Sequence, residues 1–352
     1  MEGFLREQKE LGMPKGCEIT KENQVTIGHP ETKNQSSMME VILVGLTSFP
    51  GLQRILFGAF TCIYATAIVG NLLVIFIIWK CKKLHTPMYF LLINLSFVNV
   101  FSITITTPKL LQTLLGQKKT ISLYGCITQM FFFIWTLAAE ILLLSFMAFD
   151  RYAAICHPLQ YIIIMRKEVC IGVAAAIWVV GMINSAIHAG LLLRLPLCSP
   201  PYIINHFYCD YPPLLKLFCS DTSLDETMTF VAALFFACCS CGLTVISYCF
   251  IVRAICRIRS TEGKKKAFST CSSHLIVVSF FFSSVIYTYT RPASVHSQDK
   301  IISLFYSVLN PVFNPIIYSL KNKDFKEALM KTTGSGRLLQ RLQINLQKLL
   351  EH

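Results

Sequence analysis

The sequence predicts an all-α membrane protein: a seven-transmembrane-helix bundle with a short amphipathic helix after the last span. Three observations predict it. Apolar, almost uncharged runs recur seven times, each near the ~20 residues that a helix needs to cross a bilayer. Only 14% of the 352 residues are charged and 54% are hydrophobic, against about 25% charged in ordinary soluble chains; the mean hydropathy is +0.55. The basic residues, finally, crowd into alternate connecting segments, as they do where one side of a membrane is cytoplasmic.

Residues 1–53 are polar and mixed in charge. No basic stretch leads into a short apolar core, so no cleaved signal peptide is expected and the first span serves as the anchor. The spans fall near 54–79, 88–111, 123–152, 169–192, 227–256, 268–292 and 300–320, making 54–320 the transmembrane domain. Lys80, Lys82, Lys83, Arg166, Lys167, Arg257, Arg259, Lys264, Lys265, Lys266, Lys321, Lys323 and Lys326 share one side; Lys118, Lys119, Arg194 and Lys216 share the other, with Lys300 at a boundary. The dense side is cytoplasmic by this rule, which places the N-terminus outside and predicts a multi-pass plasma-membrane protein. Asn34-Gln35-Ser36 is then an accessible glycosylation acceptor, whereas Asn94-Leu95-Ser96 lies inside the second span and is out of reach. Residues 321–352 form a cytoplasmic tail. Its first part, Lys321 to Leu329, reads as an amphipathic helix on the inner surface. After a Gly334-Ser335-Gly336 break, Leu339, Leu342, Leu346 and Leu349 repeat at helical spacing.

The net charge of +13 follows this topology and is not interleaved with aromatic residues, so lipid and not nucleic acid is the expected surroundings. Of fifteen cysteines, most lie in apolar runs and act as small hydrophobes. Cys126, Cys198, Cys209 and Cys219 sit in or beside loops on the outer side, where thiols oxidise. They allow two disulfides that hold the long 193–226 loop down as a lid, with three pairings open on sequence alone. No two C-x-x-C motifs occur at the spacing of a zinc site and no nucleophile–base set lies at one depth, so neither an enzyme nor a cofactor is expected.

Polar groups at membrane depth are costly and mark function. Asn71, Asn99, Glu140 and Asn314 fall at comparable depths in four spans and are expected to meet in a central polar cluster. Asp150 and Arg151 end the third span, where the acid can hold the arginine until a partner competes for it. Pro315 after Asn314 removes a backbone hydrogen bond and should kink the seventh span. His188 and His274 are further intramembrane candidates. About 10 Å above Glu140, two helical turns, lies Phe133, with Ile134, Leu137 and Ala138 nearby. Phe282, Val285, Ile286 and Tyr289 fall at helical spacing in the sixth span. No carboxylate or lysine lies at that level, which predicts an apolar pocket with a few hydroxyls for a small uncharged ligand.

An ordered set of motifs carries a resemblance. Gly70-Asn71 lies in the first span and Leu84-His85-Thr86-Pro87-Met88-Tyr89-Phe90 opens the second. Met147-Ala148-Phe149-Asp150-Arg151-Tyr152-Ala153-Ala154-Ile155-Cys156-His157-Pro158-Leu159 ends the third. Ser247-Tyr248 lies in the fifth, Lys266-Ala267-Phe268-Ser269-Thr270-Cys271-Ser272-Ser273-His274-Leu275 opens the sixth, and Pro311-Val312-Phe313-Asn314-Pro315-Ile316-Ile317-Tyr318 closes the seventh. Across about residues 34–331 the chain resembles the olfactory receptors, a branch of the rhodopsin-like G-protein-coupled receptors. The resemblance implies an odorant receptor that binds a small volatile and activates a stimulatory heterotrimeric G protein of the olfactory type. It implies that Arg151 engages the G protein, that Tyr248 and Tyr318 rearrange around it, and that the disulfides are Cys126–Cys209 and Cys198–Cys219. The pocket positions named above coincide with the family's odorant site, joined by His188, Ala232, Ala233 and Ser307.

The chain departs from the pattern at three places. Asn99 stands where the family usually has Asp, so the acid pair that holds sodium there is half present, at Glu140. Phe281-Phe282-Ser283 replaces Phe-Tyr-Gly and removes a hydroxyl. Residues 1–33 and about 332–352 lie beyond the resemblance. Two other readings compete: a receptor-like protein without coupling, and a small transporter using Glu140, which the lack of an internal repeat or second midplane acid disfavours.

Overall fold

Seven long helices form the bundle of the computed structural model, which describes residues 39–116, 119–257, 260–290, 297–320 and 323–332. We number them α1 (Pro50–Lys80), α2 (Pro87–Leu114), α3 (Leu123–Cys156), α4 (Lys167–Leu193), α5 (Ser223–Arg257), α6 (Thr261–Tyr289) and α7, which is composite: Ser297–Leu304, a π-helical turn at Phe305–Leu309, and Asn310–Leu320. A shorter helix, α8 (Lys323–Thr332), follows. Asn34 and the leucines 339–349 lie outside the described residues.

The helix starts follow local chemistry. Pro50 and Pro87 open α1 and α2, where a missing N–H costs nothing, and Ser122 caps α3 by accepting from the Gly125 N–H at 3.1 Å. Helical structure runs beyond the predicted limits at most ends, because polar turns extend each apolar core: α5 starts at Ser223, not 227, and α6 at Thr261, not 268. At its other end α6 stops at Tyr289, short of the predicted 292. Within α6, His274–Tyr289 forms an apolar helical stretch.

α3 is the axis. Its most apolar window is 72% buried, against 22–28% in α1, α4 and α5, whose Val69, Trp79, Val179, Phe235 and Val245 face outward. A spanning helix with an apolar exterior is at ease only in lipid, where its backbone satisfies itself. α4 approaches α3 closely because Gly181 has no side chain: a Cβ there would meet Trp135 at 3.0 Å. The contact is pinned by Trp135 Nε1 donating to the Trp178 carbonyl at 2.8 Å and by the Ser185 hydroxyl bonding the Phe131 carbonyl. Trp178 in turn donates to Asn94 Oδ1 at 3.2 Å, so Asn94 serves α2–α4 packing.

Short elements join the helical bundle on its outer side: β1 (Glu40–Leu43) pairs antiparallel with β2 (Thr120–Ser122) and parallel with β3 (Tyr202–Ile204). The loop over 193–226 has structure of its own: β3, a one-turn helix at Tyr211–Leu215, and a Leu197–Phe218 bridge. The turn after β1 needs Gly45, whose φ is +78° and where a Cβ would strike Thr113 at 2.9 Å. At the basic end α8 buries Phe325 and Ala328, and Lys83 pairs with its Asp324 at 2.7 Å and Glu327 at 3.6 Å.

Candidate functional site

Two disulfides, Cys126–Cys209 and Cys198–Cys219, shape the loop above the bundle. The first ties it to the start of α3 and thereby carries the adjacent Asp210 into the core, where it is 1% exposed. Its carboxylate accepts four hydrogen bonds. Oδ1 takes the Tyr289 hydroxyl of α6 at 2.7 Å and the Tyr211 N–H at 2.8 Å; Oδ2 takes the Tyr208 hydroxyl at 2.9 Å and the Tyr306 hydroxyl of α7 at 3.1 Å. Burial raises the Asp210 pKa, while the bonds from Tyr289, Tyr208, the Tyr211 amide and Tyr306 pull it back down. Burial, then the charge of Asp210, raises the Tyr208 phenol well above its usual range. The expectation that no carboxylate reaches this level is therefore overturned: the spans supply none, but the lid does.

Beneath the lid lies a cavity of about 50 Å³ between α3, α4, α5 and α6. Its wall includes eight of the predicted residues: Ile134, Leu137, Ala138, His188, Ala232, Ala233, Val285 and Tyr289. Phe133 is set aside from it, packed edge-on to Tyr208 with ring centroids 4.9 Å apart. Phe282, Ile286 and Ser307 also lie off the wall; the Ser307 hydroxyl donates to the Ser303 carbonyl at 2.6 Å. Ile141, Asn184, Tyr211, Thr229 and Phe236 complete the lining and escaped the sequence reading. Ile141 was within reach, one helical turn beyond Leu137 in α3. Tyr211 comes from the loop, whose depth no hydropathy pattern reveals. A larger cavity, about 640 Å³, opens near the basic ends beside Arg166 and Lys167. The smaller one is the better candidate for a ligand arriving from outside, since it lies directly under the lid.

The central polar cluster forms, with one addition. Asn99 Nδ2 donates to Asn71 Oδ1 and Asn314 Nδ2 to Asn99 Oδ1, both at 3.1 Å. Asn314 and Asn310 donate to Glu140 Oε1 at 2.9 and 2.7 Å. Asn310 was missed, although it stands one helical turn before Asn314. Pro315 has no N–H to offer the Pro311 carbonyl four residues back; Asn71 Nδ2 supplies that bond instead, at 2.8 Å. The cluster does not fit the sodium ion that the resemblance suggests. Glu140 is its one carboxylate, and both asparagines present N–H donors to it where a cation would need oxygens.

At the basic end, Asp150 Oδ1 accepts from the Tyr161 hydroxyl at 2.8 Å, and Arg151 Nε is buried without a partner. The expected local pairing of Asp150 with Arg151 is thus replaced by a bond from Tyr161, which opens the one-turn helix Tyr161–Ile164 that follows. Tyr248 bonds His274 Nδ1 at 2.9 Å and stacks on its ring. Tyr318 falls in the last part of α7, and its side chain lies outside the described residues.

A seven-helix bundle with a disulfide-anchored lid over an apolar cavity, and a half-buried arginine at the opposite end, defines a polytopic membrane receptor. The olfactory receptor family model matches residues 60–334. Olfactory receptor 2C1 of Mus musculus is 45% identical over 309 residues, 87% of this chain and 99% of its own length. Olfactory receptor 13G1 of Homo sapiens is 44% identical, covering 85% of this chain and 97% of its own; olfactory receptor 5AP2 of Mus musculus is 47% identical, covering 86% and 95%. The chain belongs to the olfactory receptor family. It is accordingly a multi-pass plasma-membrane protein and not an enzyme.

Proposed function

We propose that this chain is an odorant receptor in which a small, mostly apolar volatile occupies the cavity beneath the lid. Its occupation turns the arginine end toward a stimulatory heterotrimeric G protein of the olfactory type. One observation carries the reading: Tyr289 of α6 lines the cavity and also bonds the lid carboxylate Asp210. A ligand that touches Tyr289 therefore acts on the link between α6 and the lid.

The cavity's size supports a population shift. About 50 Å³ is far below the ~300–1,000 Å³ of clefts that hold drug-sized ligands. A volatile must separate the walls on α5 and α6, and binds best to whichever arrangement already has them apart. At the other end Tyr248 links α5 to α6 through His274 and the Cys271 carbonyl, so separation above is transmitted toward Arg151. The basic segments flanking that end suit an acidic partner surface.

The test is a cyclic-AMP reporter in cells expressing the olfactory-type stimulatory G protein, with a broad panel of small volatiles on the wild type and Arg151→Ala. A ligand-dependent rise that vanishes in the variant at equal surface level is expected. Silence from a well-displayed wild type would favour the uncoupled reading, and ion flux in liposomes the transporter.

A further inference from the structure

The polar groups on the cavity wall can be counted proton by proton. The Tyr289 hydroxyl proton goes to Asp210 and the Tyr211 hydroxyl proton to Asp225 Oδ1 at 3.0 Å. The Thr229 hydroxyl donates to the Asp225 carbonyl at 2.8 Å. His188 Nδ1 lies 2.8 Å from the Asn184 carbonyl. A carbonyl can only accept, so Nδ1 carries the ring proton and Nε2 of the neutral ring presents a lone pair. The ring is held edge-on to Tyr211, centroids 4.9 Å apart, and no protein hydrogen bond reaches Nε2 among the described residues. Both nearby carboxylates are already taken: Asp210 by four donors, and Asp225 by Tyr211 and by Arg194 Nη2 at 2.8 Å.

We propose that His188 Nε2 is the specificity-determining acceptor of this cavity, and that the receptor therefore selects ligands carrying a hydroxyl: small apolar alcohols and phenols. The inference rests on the odorant-receptor reading and sharpens it. The hydroxyls on the wall have given their protons to oxygen acceptors, two of them to carboxylates, where such bonds are strongest. The Asn184 side-chain amide is the remaining donor on the wall. An alcohol meets both needs, accepting from Asn184 and donating to His188. A ketone, ether or ester meets only the first and buries Nε2 unpaired, and an acceptor left so is penalised. Carboxylates repeat the mismatch with an added charge. Amines would bring an ammonium to a site whose carboxylate oxygens are occupied.

The experiment is a dose–response series in the same reporter, using straight-chain primary alcohols with the methyl ethers and methyl ketones of equal length. The wild type is expected to respond to the alcohols with potency roughly 10- to 100-fold above the matched ethers and ketones. His188→Phe should erase that gap by lowering the alcohol response alone. His188→Gln, which can still offer an acceptor, should restore part of it; surface staining of all three controls for folding. Ethers or ketones equal to alcohols on the wild type, or an undiminished gap in His188→Phe, would overturn the inference and leave the receptor reading standing. Silence of a displayed wild type toward every compound would remove both.

Discussion

Asp210 and Glu140 are each a single buried carboxylate ringed by donors, and α7 contributes to both, but the two sites are built in opposite ways. Glu140 belongs to α3 and is met by asparagines on α7, with the chain of amides running on to α2 and α1. Asp210 belongs to a loop and is met by hydroxyls from α6, α7 and the loop itself. The inner site joins helices to helices; the outer one joins helices to a lid that a disulfide holds in place. The π-helical turn Phe305–Leu309 of α7 carries the Asp210 donor Tyr306 and ends just before the Glu140 donor Asn310, and such turns concentrate at functional positions. A movement that begins at the lid can thus be absorbed or passed on before it reaches Glu140.

The largest expected effect breaks the outer site. Asp210→Ala strands three buried hydroxyls and one N–H, and should destabilise the receptor by about 3–5 kcal/mol, read by chemical denaturation in micelles. Asp210→Asn keeps an acceptor and should lose clearly less. Equal losses for the two variants would mean that the lid is held by packing and its disulfides. Glu140→Ala comes next, at about 2–4 kcal/mol for two stranded amides, with Glu140→Gln largely restoring stability because its carbonyl can still accept. A larger loss from Glu140→Ala than from Asp210→Ala would reverse the order of importance.

The same contrast explains what could be read in the sequence. Glu140 and its asparagines were legible because helices translate residue number into depth, at about 1.5 Å per residue. The cluster followed from counting along four spans, and only Asn310 slipped by. Asp210 was not legible, because depth in a loop is set by what anchors it. Its signal was adjacency to Cys209 in Cys209-Asp210-Tyr211, which becomes informative once that cysteine is bonded to the outer end of α3. The three strands were hidden for a related reason: segments of three or four residues carry too little periodicity to separate from loop. Phe133 shows the converse error, a residue at the right depth facing Tyr208 and not the cavity.

Smaller effects separate the tyrosines. Tyr289→Phe and Tyr306→Phe each remove one bond to Asp210 and should cost about 1–3 kcal/mol. Only Tyr289 lines the cavity, so Tyr289→Phe should also shift agonist potency, while Tyr306→Phe at equal surface level leaves it near the wild type. If both shift potency alike, the lid cluster acts as a unit and the cavity contact of Tyr289 has no separate part.

The smallest predicted effect comes from His206, beside the same cluster. Its Nε2 faces the Ser303 hydroxyl at 3.2 Å, its ring stacks on Phe207 and meets Tyr208 edge-on, and burial, followed by the charge of Lys300, lowers its pKa from 6.5 to about 3. With the lid open the ring regains its ordinary pKa, so below pH 6.5 a proton binds the open form and opposes closure. The contribution is nil at neutral pH and grows as pH falls toward about 3. From about pH 7.5 to about pH 5.5 it amounts to roughly 1.4 kcal/mol, or about tenfold in lid opening. Asp210 works in the other direction, since a carboxyl whose pKa is raised by burial favours the closed form in acid. The contribution of His206 is therefore the difference between the wild type and His206→Gln in hydrogen exchange of residues 196–219 at the two pH values. A wild type no more acid-sensitive than the variant would show that His206 keeps its proton affinity within the closed lid, and that the stacking on Phe207 leaves it open to water.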